Sequence, residues 1–293
     1  MSIKAYYSDG RGRYGTGESY DWFYKYEDCE EEPKIFTSSD GLWTYGFAEP
    51  NKPSDEIEIL RYNGCEVNIN IPAAIDGKKV VSLDSTFDGF YELESAVIPE
   101  GVTNVVGAFY GCEGLKKVTL PQSLKDMEYA LNCCFSLEEF NIPPNVEDFS
   151  NTFAGVRIES FTFPQGTKII SNSFAGSEYL KKVVIPGTVR YTYEAFSDCE
   201  GLSEVMIEEG VEELEDYTFF HCTSLQELTI PKSVRTFGRF SVGYMEIREY
   251  VDPEKTAYRM KGTCIVPGFR IKGVRGSAAE KYALDNDIPF VPI

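Results

Sequence analysis

The single histidine of the chain, His221, stands beside Cys222, and this pair is the first place to look for nucleophilic chemistry. A thiolate activated by an imidazole requires the two side chains to converge on one point. Adjacent residues in a strand or turn generally point apart, and Cys222 also belongs to a regularly spaced set of cysteines. A single histidine also argues against histidine-rich zinc sites and His-based triads. We therefore predict no catalytic residues.

Two stretches near the start of the chain resemble ligand-binding motifs. Residues Gly10 to Gly15 match Gly-x-Gly-x-x-Gly, but the aromatic and acidic residues that follow contain no returning strand of a dinucleotide-binding unit. The acidic run at Asp28 and Glu30 to Glu32 lacks the regular ligand spacing of a calcium loop. We interpret the first stretch as a loop and the second as a solvated charge run. The sequence therefore predicts no cofactor and no metal.

Half of the eight cysteines occupy one repeating position. Cys112, Cys134, Cys199 and Cys222 each lie three residues after a large apolar residue, which indicates small buried side chains. Side chains stacked in parallel usually have the wrong direction for a disulfide, so we predict free thiols. The chain has no Cys-x-x-Cys pair, which removes support for a zinc or thioredoxin-like site.

A single unit is repeated seven times between about residues 87 and 234. Two independent columns of residues keep steps of 21 to 23 residues. The first column is Phe87, Phe109, Leu131, Phe153, Phe174, Phe196 and Phe219; the second is Pro99, Pro121, Pro143, Pro164, Pro186, Glu208 and Pro231. A fixed period of about 20–29 residues with this apolar core is the signature of a leucine-rich solenoid.

Each unit contains the elements of one solenoid turn. Its Leu-x-x-Val-x-Ile part alternates with period two, which predicts a short strand with one buried face, and proline ends that strand. The next part, Val-x-x-Ile-x-x-Ala, has period three and fits either a tight helical turn or an extended corner. Because one unit cannot bury its own apolar face, the units must stack with parallel strands and, we expect, right-handed crossovers.

The pattern Phe-x-x-Cys-x-x-Leu-x-x-Val-x-Ile-Pro resembles the BspA-type leucine-rich repeat. The resemblance covers roughly residues 55–240, with local departures such as Val156 and Ser177 at the Cys position and Glu208 at the Pro position. It implies an α/β repeat fold, a right-handed leucine-rich-repeat solenoid with short parallel strands. By resemblance, the function would be binding of host or matrix glycoproteins or of other cells.

The repeats divide the chain into three parts. Residues 1–54 form a non-repeat segment and cap, residues 55–240 the repeats with a partial lead-in, and residues 241–293 an irregular insertion followed by a cap. Alternation at 42–47 and 57–62 predicts an N-terminal hairpin. At the other end, 269–274 reads as a strand, Ser277 and Glu280 form a capping box for a helix from Ala278 to Asp285, and 288–291 returns as a strand.

Outward-pointing residues of the repeat strands form the candidate binding surface. We call this side of the strands the strand face; it is the concave face of such a solenoid. Lys117 beside Glu139 and Lys182 beside Glu204 predict cross-strand ion pairs, and the stability of the sheet alone explains most of the pattern. The candidate residues are Lys117, Thr119, Glu139, Asn141, Lys182, Glu204, Met206 and Glu227.

A second candidate surface is an aromatic patch in the first segment. It consists of Tyr20, Trp22, Phe23 and Tyr24. The alternative is that these side chains pack within the cap.

Charge and hydropathy restrict the partners. The formal net charge of −19 disfavours nucleic acid and anionic membranes and favours a basic protein, a cation or a neutral surface as the partner. No run of about 18 apolar residues occurs, so we predict no membrane insertion. The start, MSIKAYYSDG, has no apolar leader region. Two compartments stay open: secreted or cell surface if a leader has been removed, and cytoplasmic otherwise.

These observations favour a non-enzymatic, monomeric protein- or glycoprotein-binding repeat protein, and the resemblance suggests a bacterial surface adhesion protein. An intracellular scaffold with reduced cysteines is the alternative. A carbohydrate-active enzyme is the least favoured hypothesis. It requires two carboxylates about 5–10 Å apart in a cleft, whereas the strand-face columns mostly pair acids with lysines.

Overall fold

The computed structural model describes residues 33–49, 53–251 and 258–293. The strands of the first half are β1 (Ile35–Thr37), β2 (Trp43–Phe47), β3 (Glu56–Tyr62), β4 (Asn68–Asn70), β5 (Ala74–Ile75), β6 (Lys78–Ser82), β7 (Ser95–Val97), β8 (Lys117–Thr119) and β9 (Glu139–Phe140). The remaining elements are β10 (Ser160–Thr162), β11 (Lys182–Ile185), β12 (Glu204–Ile207), β13 (Glu213–Leu214), β14 (Glu227–Thr229), β15 (Thr236–Phe237), β16 (Tyr244–Tyr250), β17 (Tyr258–Ile265), β18 (Arg270–Gly273), α1 (Ala278–Asp285) and β19 (Phe290–Pro292).

The repeat strands stack in parallel, as the period predicts. They form three sheets, β4-β7-β8-β9, β10-β11-β12 and β14-β18-β19, so the ladder is interrupted after β9 and after β12. Equivalent residues of successive repeats lie opposite each other, for example Lys117 opposite Glu139 and Lys182 opposite Glu204. The prediction of a parallel leucine-rich-repeat solenoid is therefore confirmed.

A second, thinner ladder runs along another side of the stack. Single parallel bridges join Ser82, Asn104, Asp126, Asp148, Ile169 and Tyr191, and β13 with β15 continues the same line. The ladder shows that the period-three segments are extended corners and turns, and not turns of helix. Within the described ranges, the one α-helix is α1, at the C-terminal end.

The aromatic column forms the centre of the core. Phe87 and Phe109 are stacked with ring centroids 5.3 Å apart and planes 3° apart, and Phe196 and Phe219 repeat this arrangement at 5.3 Å and 8°. Leu131 interrupts the column between Phe109 and the next ring. Repetition of one side chain at one site of each turn therefore produces a nearly continuous aromatic stack.

Two positions have a positive φ in every repeat; Gly101, Gly166 and Gly210 add a third in three of the repeats. One bend comprises Gly89, Gly111, Cys133, Gly155, Gly176, Asp198 and His221, and the other comprises Ser85, Gly107, Tyr129, Asn151, Asn172, Glu194, Tyr217 and, beyond the last repeat, Phe240. Glycine adopts this conformation without steric cost, whereas other residues pay about 1–2 kcal/mol each. The two bends turn the chain at the same points in every repeat.

Both ends carry the predicted caps. At the N-terminal end, β2 and β3 pair as the expected hairpin within the sheet β1-β2-β3-β6-β5, and Trp43 packs edge-on against Phe87. At the C-terminal end, α1 has the predicted bounds. The Ser277 Oγ accepts a hydrogen bond from the Glu280 N–H, and the Glu280 carboxylate accepts one from the Gly276 N–H, one residue before the cap.

One structural prediction is wrong. In its described part, the segment from 242 to 262 is not irregular, because β16 and β17 pair as antiparallel strands with a bulge between Ile247 and Arg248. The domain boundaries at residues 54 and 240 stay predictions. The early glycine motif, the acidic run and the aromatic patch at Tyr20 to Tyr24 lie outside the described residues.

Phe153→Ala should lower the free energy of unfolding by about 3–5 kcal/mol. The Phe153 side chain is fully buried and contacts the rings of Phe161 and Phe174, with centroids 4.8 and 5.0 Å away. Urea denaturation measures the loss, and Tyr191→Ala, at a side chain 51% exposed, is the control. A loss below about 1 kcal/mol at Phe153 would show that this column is not the core.

Gly155→Ala and Gly176→Ala form a matched pair that separates backbone strain from crowding. Both glycines have positive φ, +81° and +72°, so each alanine should cost about 1–2 kcal/mol. A Cβ on Gly155 would lie 2.6 Å from a ring carbon of Phe135, whereas one on Gly176 would meet no atom within 4 Å. Gly155→Ala should therefore be the more destabilising by about 1–3 kcal/mol.

The double variant Gly155→Ala with Phe135→Ala provides the control for this comparison. It should recover the part of the loss that comes from crowding. Equal losses for the two glycine variants in urea denaturation would contradict the close approach of the Phe135 ring.

Candidate functional site

The strand face collects all eight candidate residues on the outward side of the repeat strands. They do not form one sheet. Lys117, Thr119 and Glu139 belong to the sheet of β7 to β9, and Asn141 directly follows β9. Lys182, Glu204 and Met206 belong to the sheet of β10 to β12, and Glu227 to that of β14 and β18. The structure therefore presents three groups of candidates along the stack.

Most charges of the strand face pair with one another. The predicted pairs are present, with Nζ of Lys117 2.6 Å from the Glu139 carboxylate and Nζ of Lys182 3.0 Å from that of Glu204. Two further pairs flank them, Glu94 with Lys116 at 2.8 Å and Glu159 with Lys181 at 2.6 Å. Such exposed pairs contribute little to stability, but they leave this face close to electrical neutrality.

Glu227 is held by two cations from the C-terminal cap. Its carboxylate lies 2.5 Å from Nζ of Lys272 and 2.5 Å from Nε of Arg270. Hydrogen bonds from Lys272 and then from Arg270 lower the pKa of Glu227 below its ordinary value. This candidate therefore helps to attach β18 to the last repeat.

The side-chain amide of Asn141 forms hydrogen bonds with the backbone of the preceding repeat. Its Oδ1 accepts a hydrogen bond from the Leu120 N–H at 2.8 Å, and its Nδ2 donates to the Leu120 carbonyl at 2.7 Å. The amide thus extends the ladder by one step where β9 ends. Among the candidates, Met206 is the most exposed apolar residue, with 58% of its surface accessible.

The cysteine column is a column of hydrogen-bond donors as well as small buried side chains. The thiols of Cys112, Cys134, Cys199 and Cys222 each lie 3.0–3.2 Å from the carbonyl of the core residue one repeat earlier, and the Ser177 hydroxyl makes the same contact with Phe153. Burial raises the pKa of the Cys112 thiol to about 12. The prediction of free thiols holds for the seven cysteines of the described ranges.

His221 and Cys222 do not form a nucleophilic pair in this arrangement. The Cys222 thiol donates to the Phe196 carbonyl, whereas the His221 imidazole faces the hairpin. His221 is 4% exposed; its Nδ1 accepts a hydrogen bond from the Glu246 N–H at 3.0 Å, and its Nε2 lies 3.3 Å from the Glu200 carboxylate. The imidazole therefore joins the last repeats to β16.

Arg248 completes the attachment of the hairpin. Its guanidinium lies 3.1 Å from the carboxylate of Asp198, 3.2 Å from that of Glu200 and 2.8 Å from that of Glu246. The first two carboxylates belong to the turns of a repeat, and the third belongs to β16 itself. A strand carrying an arginine is thus docked on the side of the solenoid.

The surface on which the hairpin docks is absent from the sequence-based predictions. We call it the turn edge, and it consists of the turns that follow the aromatic column: residues 88–92, 110–114, 132–136, 154–158, 175–179, 197–201 and 220–224. Hydrogen bonds between repeats keep these turns in register, with the Gly89 N–H 2.9 Å from the Tyr110 carbonyl and the Gly114 N–H 3.1 Å from the Tyr91 carbonyl. The periodic glycines at 89, 111, 155 and 176 were the available signal.

The turn edge carries exposed aromatic rings. The exposed fractions are 64% for Tyr91, 43% for Tyr110, 39% for Phe135 and 49% for Tyr179. The guanidinium of Arg157 lies over the Tyr179 ring, 5.2 Å from its centroid. Aromatic and arginine side chains are the residue types enriched at protein-binding hot spots.

In the described residues, no group of three or more His, Cys, Asp or Glu side chains is placed to hold a metal ion. No helix there has the length and apolar character needed to cross a membrane.

A comparison with protein families identifies the family to which the chain belongs. The sequence profile of the BspA type leucine rich repeat region matches residues 82–151 and 149–261, with six copies of the repeat. The chain belongs to the BspA-type leucine-rich repeat family. A comparison with curated proteins gave no match.

Solved structures confirm the fold of this BspA-type chain. It is similar to a leucine-rich repeat protein from Bacteroides ovatus, with 18% identity, a TM-score of 0.61 and coverage of 91% of this chain and 67% of the other. It is also similar to a leucine rich cell surface protein from Faecalibacterium prausnitzii, with 23% identity, a TM-score of 0.51 and coverage of 72% and 74%. At these identities, the likeness shows a shared fold.

Two carboxyl groups of the BspA-type stack have strongly shifted pKa values. Burial is the main reason that the pKa of Glu58 rises from 4.5 to about 7, with the Asp84 charge adding to the rise. Burial also raises the pKa of Glu128 to about 7, with smaller contributions from Asp148 and Asp126. Both groups lie beside the second ladder, where carboxylates of successive repeats come close together.

These shifts predict that acidification stabilises the protein between about pH 7 and pH 4.5. Because their folded-state pKa values exceed the unfolded-state value of about 4.3, Glu58 and Glu128 bind protons more tightly when the chain is folded. Their contribution to stability is complete below about pH 4.5 and is lost as the pH rises to about 7. Glu128→Gln should raise the free energy of unfolding by about 1–2 kcal/mol at pH 8 and change it little at pH 4.

Glu138→Gln, at an exposed strand-face position, is the control for Glu128→Gln and should change the free energy of unfolding by less than about 0.5 kcal/mol at either pH. Urea denaturation at pH 8 and at pH 4 measures the free energy of unfolding of the parent protein and of both variants. A Glu128→Gln variant that shows the same pH dependence as the parent would contradict this account.

Proposed function

We propose that this BspA-type chain is a non-catalytic binding protein that engages a protein or glycoprotein partner at a cell surface. The observation that carries the proposal is the stack itself. Each repeat fills its interior with apolar side chains and adds outward side chains at a constant spacing to a long surface. Extended surfaces of this kind are what solenoid proteins use to bind macromolecules.

The proposed contact residues include those of the strand face. Met206 offers an exposed apolar side chain, Thr119 a small polar one, and the pairs Lys117–Glu139 and Lys182–Glu204 offer both signs of charge. A partner meeting this face encounters little net charge. Strand-face contacts should therefore depend on shape more than on electrostatic attraction.

The location at a cell surface is supported by analogy. The similar protein from Faecalibacterium prausnitzii is described as a cell surface protein. At 23% identity the shared feature is the fold, and a fold hosts more than one function. An intracellular scaffold would use the same solenoid surface, so the test must separate the two locations.

Protease treatment of intact source cells should remove the protein. An antibody against the repeats detects the chain by immunoblot before and after brief treatment with a protease that does not enter cells. If the protein is displayed outside, its signal should fall, because loops and hairpins on the surface are accessible to cleavage. A known cytoplasmic protein on the same blot is the control and must keep its signal.

Lysed cells provide the second control. If the repeats resist cleavage even after lysis, the antibody should follow the removal of the hairpin at residues 244–265 instead. A chain that is protected in intact cells and cleaved in lysed cells would contradict the surface location and favour the intracellular scaffold.

A further inference from the structure

The turn edge differs from the strand face in its charge pairing. Its seven turns contain six carboxylates and one arginine, from Asp88, Glu92, Glu113, Glu178, Asp198, Glu200 and Arg157. Within the described part of the chain, Asp88, Glu92, Glu113 and Glu178 form no salt bridge with a cationic side chain, whereas the strand-face carboxylates Glu139 and Glu204 do. Unlike the strand face, the open turns of this edge therefore carry negative charge that no salt bridge compensates.

The C-terminal end of the turn edge already holds an arginine-bearing strand. Arg248 of β16 reaches two carboxylates of the edge, Asp198 and Glu200, at 3.1 and 3.2 Å. The backbone of the same strand is fixed by the hydrogen bond from the Glu246 N–H to His221. The structure thus contains one example of an extended, arginine-bearing segment docked on this edge.

The middle of the turn edge contains an arginine of its own, which contacts an exposed ring of the next turn. Arg157 places its guanidinium over the Tyr179 ring at 5.2 Å, which is a favourable cation–π distance. Tyr91, Tyr110 and Phe135 present further exposed rings on the turns of the first three repeats. In the described chain, no arginine or lysine lies over any of these three rings.

We propose that the open part of the turn edge, from Asp88 to Tyr179, binds an extended arginine-containing segment of the partner protein. This inference rests on the proposed function and names the chemistry of the partner. Arginine side chains of that segment lie over the exposed rings and pair with Glu92, Glu113 and Glu178, as Arg157 and Arg248 do inside the molecule. Five repeats spaced about 4.8 Å apart accommodate roughly six to eight extended residues.

The negative charge of the turn edge favours an arginine-containing segment over a second copy of the chain, a nucleic acid or an anionic membrane. A second copy of the chain would bring another acidic edge and a formal net charge of −19. Nucleic acids and anionic membranes would bring phosphates to the same carboxylates. Arginine fits better than lysine because its planar guanidinium both stacks on rings and forms paired hydrogen bonds with carboxylates.

The test uses a fluorescent peptide of about ten residues in which arginine alternates with serine. Fluorescence anisotropy measures its dissociation constant for the full-length protein. The edge variant combines Tyr91→Ala, Glu113→Gln and Glu178→Gln, all at exposed positions, so the fold should be retained. We expect its dissociation constant to rise about tenfold or more.

A matched control removes the same residue types from other surfaces. It combines Tyr191→Ala, Glu138→Gln and Glu212→Gln, which are also exposed, and it changes the net charge by the same amount. Its dissociation constant should rise by no more than about twofold. A peptide with lysine in place of arginine should bind the parent protein more weakly than the arginine peptide.

Three results would overturn the proposal: no measurable binding of the arginine peptide, equal losses for the edge variant and the matched control, or equal affinity for the lysine peptide. Each would leave the proposed binding function standing if the protease experiment places the protein at the cell surface. Conversely, protection of the protein from protease in intact cells would contradict the surface location. The peptide experiment would still test binding to the turn edge.

Discussion

Two positions adopt the left-handed conformation in every repeat, and the rest of the solenoid depends on the bends at these two positions. They return the chain to the same point after each repeat, so that equivalent residues of neighbouring repeats come into register. Register then places ring over ring in the aromatic column, and it aims the Cys112 and Cys134 thiols at carbonyls of the repeat before. Where glycine does not occupy a bend, as at Cys133 and His221, the stacked repeats hold a residue that would otherwise avoid this conformation.

The same register gives the sides of the stack different chemistry. On the strand face, it sets lysines of one repeat opposite acids of the next, and the charges cancel in pairs. On the turn edge, it aligns acids and exposed aromatic rings, and within the described chain Asp88, Glu92, Glu113 and Glu178 form no salt bridge with a cationic side chain. The β16–β17 hairpin attaches to the turn edge through Arg248. A guanidinium that is partly removed from water needs carboxylates beside it, and Asp198 and Glu200 of the turn edge provide them.

Much of the fold was predictable from the sequence because its determinants are local or periodic. The Phe and Pro columns predict the stacked strands, and Ser277 with Glu280 predicts the start of α1. Three features were not predictable for physical reasons. The hairpin at 244–265 lies outside the period and is stabilised by contacts with Glu200 and His221 from distant repeats. The Asn141 side-chain amide takes the place of a backbone amide in the ladder by accepting a hydrogen bond from the Leu120 N–H, and the spacing of residues in the sequence does not indicate such a role. The turn edge exists only through the register between repeats, so its rings and acids are scattered in the sequence.

Docking of an arginine-containing segment on the turn edge can be located on the intact protein by hydrogen–deuterium exchange with mass spectrometry. Amide exchange is measured on the full-length protein with and without the arginine–serine peptide. Docking on the turn edge should slow exchange in residues 110–114 and 175–179 and change it little in the strands at 117–119 and 182–185. Protection confined to those strands, or no protection in either region, would contradict it.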